Sequence, residues 1–277
     1  RQLFALHGGA TDQLGEWDRQ YDYFTKMGVG SSIFFDPTDA GVYSVLSNYN
    51  FTNLSSILEG GHRADSLSID LKDDFDLTSQ ELSDLQTYAY NKAQANPQIT
   101  HWKLVNEPNT SQNSQAELDN MIDAMGALAA GIKQANANAK VMTNDPSNMH
   151  PSTGIHYIDK LLENGAGSIC DIVAIHPYRN QPESPDLDAD IVTLMSMLSD
   201  NSFTGDVWFT EGVYYNNYIL PNLGLNTHVG CSTDNFRAGD FSYDMGWGER
   251  MSAAYTARSF LAAMKYGDRV KLFVDWG

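Results

Sequence analysis

A chain of 277 residues with Asp+Glu 35 against Lys+Arg 17 carries a formal net charge of −18, and such a surface repels nucleic acid and anionic membranes. Hydrophobic residues at 42% and aromatics at 11% exclude a disordered chain and allow one large α/β barrel or two ordinary domains. No apolar run approaches the roughly 18 residues of a membrane span, no signal peptide is visible, and the opening Arg1 suits a processed secreted enzyme or an excised domain alike.

In chain order, Leu3-Phe4-Ala5-Leu6-His7 predicts a first strand ended by the turn at Gly8-Gly9. Glu16 to Met27 has helical spacing, with Trp17, Tyr21, Phe24 and Met27 on one face and Gly28 closing it. Ser31 to Phe35 reads as strand two, stopped by Asp36-Pro37. Asp39 to Gly61 reads as a helix plus a long loop, and Ser66 to Asp70 as strand three. Thr78, with Glu81 three residues on, forms a capping box for a helix to about Ala95.

Strand four is Lys103-Leu104-Val105, with Asn106 and Glu107 at its end and Pro108 stopping it for want of an N–H. An alanine-rich helix follows over Gln115 to Asn136, then strand five over Lys140 to Asn144 and a helix over Ile155 to Glu163. Strand six, Asp171 to His176, is ended by Pro177 and followed by a helix from Asp188 to Leu198. Strand seven runs Val207 to Glu211, and a helix from Ser252 to Tyr266 leads into strand eight, Lys271 to Trp276. Continuous apolar runs, rather than period-2 alternation, indicate parallel strands buried on both faces. The fold class expected is therefore α/β, a single (β/α)8 TIM barrel over residues 1–277. It lacks the eighth helix, because the chain stops at Gly277. Between strand seven and its helix, Tyr214 to Gly248 is a long loop carrying Tyr214, Tyr215, Tyr218, Phe236, Phe241, Tyr243 and Trp247. These aromatics suit stacking on sugar rings or packing of a small satellite core.

An α/β barrel carries its chemistry at the C-terminal tips of its strands. Glu107 and Glu211 both fall at such tips, and a carboxylate pair is the minimum kit for glycoside hydrolysis. Strand four ending Asn106-Glu107-Pro108, strand six ending His176-Pro177-Tyr178, strand seven ending Glu211 and strand eight ending Trp276 together resemble the clan A retaining glycoside hydrolases. The resemblance spans essentially the whole chain. It implies Glu107 as acid/base, Glu211 as nucleophile and Asn106 as a hydrogen-bond partner of the sugar 2-hydroxyl. It also implies Tyr178 as a donor to Glu211, Trp276 as the floor of the sugar site and His176 as a residue lining it. A β-linked polysaccharide or oligosaccharide is the implied partner, with no cofactor, no metal, no nucleic acid and no membrane, and with a secreted location. Many clan members carry an arginine at the end of strand two, where this chain reads Phe35-Asp36-Pro37; Arg63 and Arg179 are the candidate substitutes.

Other readings compete. His7, Asp36, Asn144 and Asp145 also sit at strand ends, as candidate sugar-hydroxyl contacts. Asp70, Glu107 and Asp145 near the ends of strands three, four and five resemble the magnesium carboxylates of enolase-type barrels, although that reading leaves Glu211 unused. A barrel that binds glycans without cutting them is the non-enzymatic reading. The cluster Asp70, Asp73, Asp74 and Asp76 lacks the spacing of an EF-hand loop and reads as a solvated loop. Cys170 precedes strand six and Cys231 follows strand seven, at opposite ends of a barrel, so the two are not expected to be bridged.

Overall fold

The structure is a computed structural model that describes residues 77–108, 114–178, 186–212 and 249–275, Lys26, and the strand segments 4–8, 31–34, 53–59, 63–64 and 69–70. Eight parallel strands make up its main sheet: β1 (Phe4–Gly8), β2 (Ser31–Phe34), β3 (Asn53–Glu59), β4 (His101–Val105), β5 (Lys140–Met142), β6 (Ile172–Ile175), β7 (Asp206–Phe209) and β8 (Val270–Asp275). Each is hydrogen-bonded to the strands before and after it in this order, and β1 pairs with both β2 and β8. Phe4 lies opposite Phe273 on one side, and Ala5 opposite Ser31 on the other.

The connections are helical wherever they are described. α1 (Ser79–Ala95) precedes β4, and α2 (Gln115–Ala135) joins β4 to β5. After β5 a π-helical turn, Pro151–Ile155, runs straight into α3 (His156–Glu163) and the short α4 (Ala166–Ile169). α5 (Leu187–Asp200) joins β6 to β7, and α6 (Glu249–Met264) leads into β8. Both long helices begin on a full capping box, Thr78 with Glu81 and Ser114 with Glu117, in which two otherwise unpaired N–H groups are satisfied reciprocally. Among the described residues no helix is long and apolar enough to cross a membrane.

β4, β6 and β7 are buried because both their faces are covered. Trp102 and Leu104 on β4, Val173 and Ile175 on β6, and Phe209 on β7 are each fully inaccessible. They belong to one core with Leu85 and Ala89 of α1, Leu128 and Ile132 of α2, and Ile191 and Leu194 of α5. Gly131 sets the approach of α2 to α1: a Cβ there would lie 2.2 Å from the Gln86 carbonyl oxygen. Cys170 is buried and free, and Cys231 lies outside the described residues.

One expected strand was misplaced. Strand three is Asn53–Glu59, inside the stretch read as helix and loop, and it pairs in parallel with β2 and β4. Ser55 and Ser56 interrupt its apolar run and mask it. Ile69–Asp70 instead forms a small antiparallel pair with Arg63–Ala64, aside from the main sheet. Asp70 is therefore not at the tip of strand three, which removes one carboxylate from the enolase-type reading. The predicted helix over Glu16 to Met27, apart from Lys26, and the Tyr214 to Gly248 loop lie outside the described residues.

Candidate active site

The tips of β4 to β7 are tied together beyond the regular ladder. Asn106 makes a single parallel bridge to Asp145, and the Glu107 N–H donates to the Asp145 carbonyl at 3.0 Å. The His176 N–H reaches the Pro146 carbonyl at 3.2 Å, and the Thr210 N–H reaches that of Ile175 at 3.1 Å. Glu107 itself sits at φ 49°, in the left-handed region. For a residue with a Cβ this costs about 1–3 kcal/mol and persists only where the surroundings over-determine it, as the backbone ties of Asn106 and Glu107 to Asp145 and the side-chain bond of Glu107 to His176 do here.

From these tips, three carboxylates and two cations converge in alternating sign. Nδ1 of His176 lies 2.6 Å from Glu107 Oε1, and Nε2 lies 2.7 Å from Asp145 Oδ2. The same Asp145 oxygen takes the Lys103 ammonium at 2.6 Å and the Thr210 hydroxyl at 2.7 Å. Oε1 of Glu211 then lies 3.6 Å from Lys103 Nζ and 3.5 Å from His176 Nε2, while Oε2 accepts from the Tyr178 hydroxyl at 3.0 Å. Lys103, Asp145 and His176 are fully buried and Glu211 is 2% exposed, whereas the Glu107 side chain is 31% exposed. The interior of the ring thus holds the fixed charges, and Glu107 is the member that faces the solvent.

Position decides the protonation states. For His176, burial works against the charged ring, but Asp145 and Glu211 outweigh it and push its pKa up from 6.5 to about 9. For Asp145, burial would raise the carboxyl; the His176 and Lys103 charges overcome that and hold it well below the usual carboxylate range. For Glu211, burial wins and raises the carboxyl, with His176 and Lys103 pulling the other way.

Glu107, Glu211, Asn106, His176 and Tyr178, expected from separate strands, are therefore neighbours. The amide of Asn106 is oriented by Lys103, whose Nζ donates to Oδ1 at 2.7 Å. A lysine can only donate, so the Asn106 NH2 points away from it. Trp276 lies outside the described residues, as do Asp36 and Arg179. Asn144 and Asp145 do not fit the sugar-contact reading, because both are fully buried. Asn144 accepts from the Val105 N–H at 3.1 Å and contacts Met121 of α2, while Asp145 is spent on His176, Lys103 and Thr210. Sequence reasoning missed Lys103 and Thr210. The signal for Lys103 was present: an ammonium within Trp102-Lys103-Leu104-Val105, a strand buried on both faces, requires a partner.

Among the described residues, Glu107, His176 and Glu211 each bring one donor atom to within 4.8 Å of the others, a spacing that a metal ion could bridge. Both nitrogens of His176 face carboxylate oxygens, however, and a ring that donates from both has no lone pair for a metal. A cavity of about 690 Å³ lies at the other end of the strands, lined by His101, Lys140, Asp171, Gly205 and Asp206. It opens where β4 to β7 begin, away from the carboxylates.

No protein-family model and no curated protein matches the chain. Solved structures do. A family 39 glycoside hydrolase from Bacteroides cellulosilyticus WH2 superposes with a TM-score of 0.66 at 13% identity, over 99% of this chain and 55% of that one. β-Glucuronidase 2 of Bacteroides uniformis, solved covalently bound to cyclophellitol-6-carboxylate aziridine, gives 0.63 at 14% identity, over 100% of this chain and 30% of that one. A family 128 endo-β-1,3-glucanase from Amycolatopsis mediterranei, in complex with laminaripentaose, gives 0.53 at 12% identity, over 100% and 88%. This chain thus spans less than a third of the glucuronidase and most of the glucanase. At such identities the likeness carries the fold alone: the chain has the parallel α/β fold of these glycoside hydrolases.

Proposed function

We propose that this chain is a retaining glycoside hydrolase of the clan A type, built as a (β/α)8 barrel and cutting β-glycosidic bonds by double displacement. The observation that carries the proposal is the pair Glu107 and Glu211 at the tips of β4 and β7, with one oxygen of each within 4.8 Å of the other. Retaining enzymes hold their carboxyls about 5 to 5.5 Å apart, whereas inverting ones leave about 6.5 to 9.5 Å for a water.

In the first step the Glu211 carboxylate attacks the anomeric carbon while Glu107 protonates the departing oxygen. A glycosyl ester on Glu211 forms and the C–O bond to the leaving sugar breaks. In the second step Glu107, now a carboxylate, takes a proton from water, whose oxygen displaces Glu211 and restores the starting configuration. The difference in exposure suits this division: the 2% exposed Glu211 is shielded from competing water, and Glu107, 31% exposed, exchanges protons with solvent. Tyr178 orients Glu211 through Oε2. His176 fixes Glu107, and Asn106 turns its NH2 outward for a sugar hydroxyl. The clan resemblance assigns the apolar floor of the sugar site to Trp276, which lies outside the described residues.

The partner is a β-linked polysaccharide or oligosaccharide met outside the cytoplasm, and a net charge of −18 favours a neutral glycan over a polyuronate. The test is a reducing-end release screen across a panel of β-linked polysaccharides, with product anomers followed by NMR. Release of β-configured products first supports the proposal. α-Products would reverse the mechanism, and no release from any glycan would leave a binding barrel.

A further inference from the structure

Lys103 has no step in this scheme, yet it is fully buried. Burial of an ammonium is unfavourable unless it is paired and hydrogen-bonded, and a methionine of similar volume would fill the same space without that penalty. The ammonium is nevertheless placed firmly. Lys103 lies mid-ladder, opposite Ile57 on β3 and Met142 on β5, so the backbone holds its root on both sides. Its tip touches Asp145 Oδ2 at 2.6 Å, Asn106 Oδ1 at 2.7 Å and Glu211 Oε1 at 3.6 Å. All three are groups of the site itself.

We propose that Lys103 is a positioning residue for Glu211: its ammonium, fixed by Asp145 and Asn106, holds the Glu211 carboxylate in its charged form and in the orientation that attack requires. This rests on the reading of Glu211 as the nucleophile. Glu211 is surrounded by Lys103 and Glu107 from β4, Asp145 from the end of β5, and His176 and Tyr178 from the end of β6. Burial drives its carboxyl toward the neutral form, which has no charge to attack with, and Asp145 and Glu107 add to that drive. The opposing charges are His176, which is shared with Glu107 and Asp145, and Lys103, which is shared with Asp145. Removing Lys103 therefore takes away one of the two charges that favour the carboxylate form of Glu211.

The test compares Asp145→Asn with the double variant Lys103→Met/Asp145→Asn, so that no uncompensated carboxylate is buried and the two proteins differ only in the ammonium. Glutamate labelled with 13C at Cδ reports the Glu211 titration directly, assigned by its loss in Glu211→Gln. An opposite charge at this distance moves a carboxyl by about 1 to 3 pH units, so Glu211 should titrate that much higher in the double variant. The acidic limb of the kcat profile on an activated aryl β-glycoside should move up with it, while KM stays nearly constant. A purely structural lysine would change the melting temperature and leave the titration in place. Equal Glu211 midpoints in the two variants overturn the proposal. A moved midpoint with an unmoved kcat limb refutes Glu211 as nucleophile and the positioning role with it. If the double variant fails to fold, Lys103→Gln, which keeps a donor and drops the charge, is compared with the parent protein under the same criteria.

Discussion

Raising the pH from 6.5 to 9 should weaken this fold through one side chain. His176 is fully buried, with Glu107 and Asp145 on its two nitrogens, Glu211 3.5 Å from Nε2, and the Tyr178 ring edge-on with centroids 5.7 Å apart. The folded protein holds the imidazolium proton to about pH 9, against an ordinary 6.5. Because the folded state binds this proton more tightly than the unfolded chain, its stabilisation is complete below pH 6.5 and is lost as the pH climbs through 9. At about 1.4 kcal/mol per pH unit, the interval corresponds to roughly 3 kcal/mol, a large part of a typical domain's stability. Urea unfolding followed by tryptophan fluorescence at about pH 6, 7.5 and 9 measures it. The parent protein should lose stability steadily across the series, and His176→Gln, less stable at the acid end, should be nearly flat. Equal stability of the parent at both ends, or the same slope in His176→Gln, would refute the charge network as described.

The acid side should behave in the opposite sense. Burial, aided by Lys140, lowers the His101 pKa to about 4, so the stability it contributes is present above pH 6.5 and lost as the pH falls toward 4; His101→Gln should flatten that limb in the same urea series. Gly131→Ala should cost about 1–3 kcal/mol by pushing a methyl into the Gln86 carbonyl, read as a lower melting temperature with α2 helicity retained in circular dichroism. Thiol titration of the unfolded, unreduced chain should find both Cys170 and Cys231 free; in the native protein Cys170 should react slowly, because burial raises its thiol pKa far above the usual value. A native protein whose Cys170 reacts at the rate of a free thiol would contradict its placement.

What was legible in the sequence follows from what each signal measures. β4, β6 and β7 are short apolar runs cut off by Pro108, Pro177 and Gly212, and a residue placed just before such a stop must lie at a strand tip. That logic placed Asn106, Glu107, His176 and Glu211 at strand tips, whereas Tyr178, which follows Pro177, and the roles of Asn106, His176 and Tyr178 came only from the clan resemblance. It failed at β3, because Ser55 and Ser56 dilute the apolar run while Leu67 and Ile69 offer a cleaner alternation nearby. It also failed on depth. Asn144 and Asp145 sit at a strand end as foreseen, but the tips of β4 and β6 close over them, so a predicted surface contact is a buried support. Lys103 was read as one more strand residue, since periodicity records which face a side chain takes and not what meets it there.

The most direct measurement of the central claim is azide rescue in two variants, on an activated aryl β-glycoside matched to the preferred polysaccharide. Glu211→Ala should abolish turnover, and azide entering the vacated face should restore it with an inverted glycosyl azide as product. Glu107→Ala should still form the ester on Glu211 with a leaving group that needs no proton, and azide should then give the product of retained configuration. Loss of a general acid costs roughly 10²- to 10⁴-fold on natural substrates that need one, so the contrast between substrates is readily measured. Glu107→Ala failing equally on activated and natural substrates, with azide restoring neither variant, would contradict the division of labour between the two glutamates.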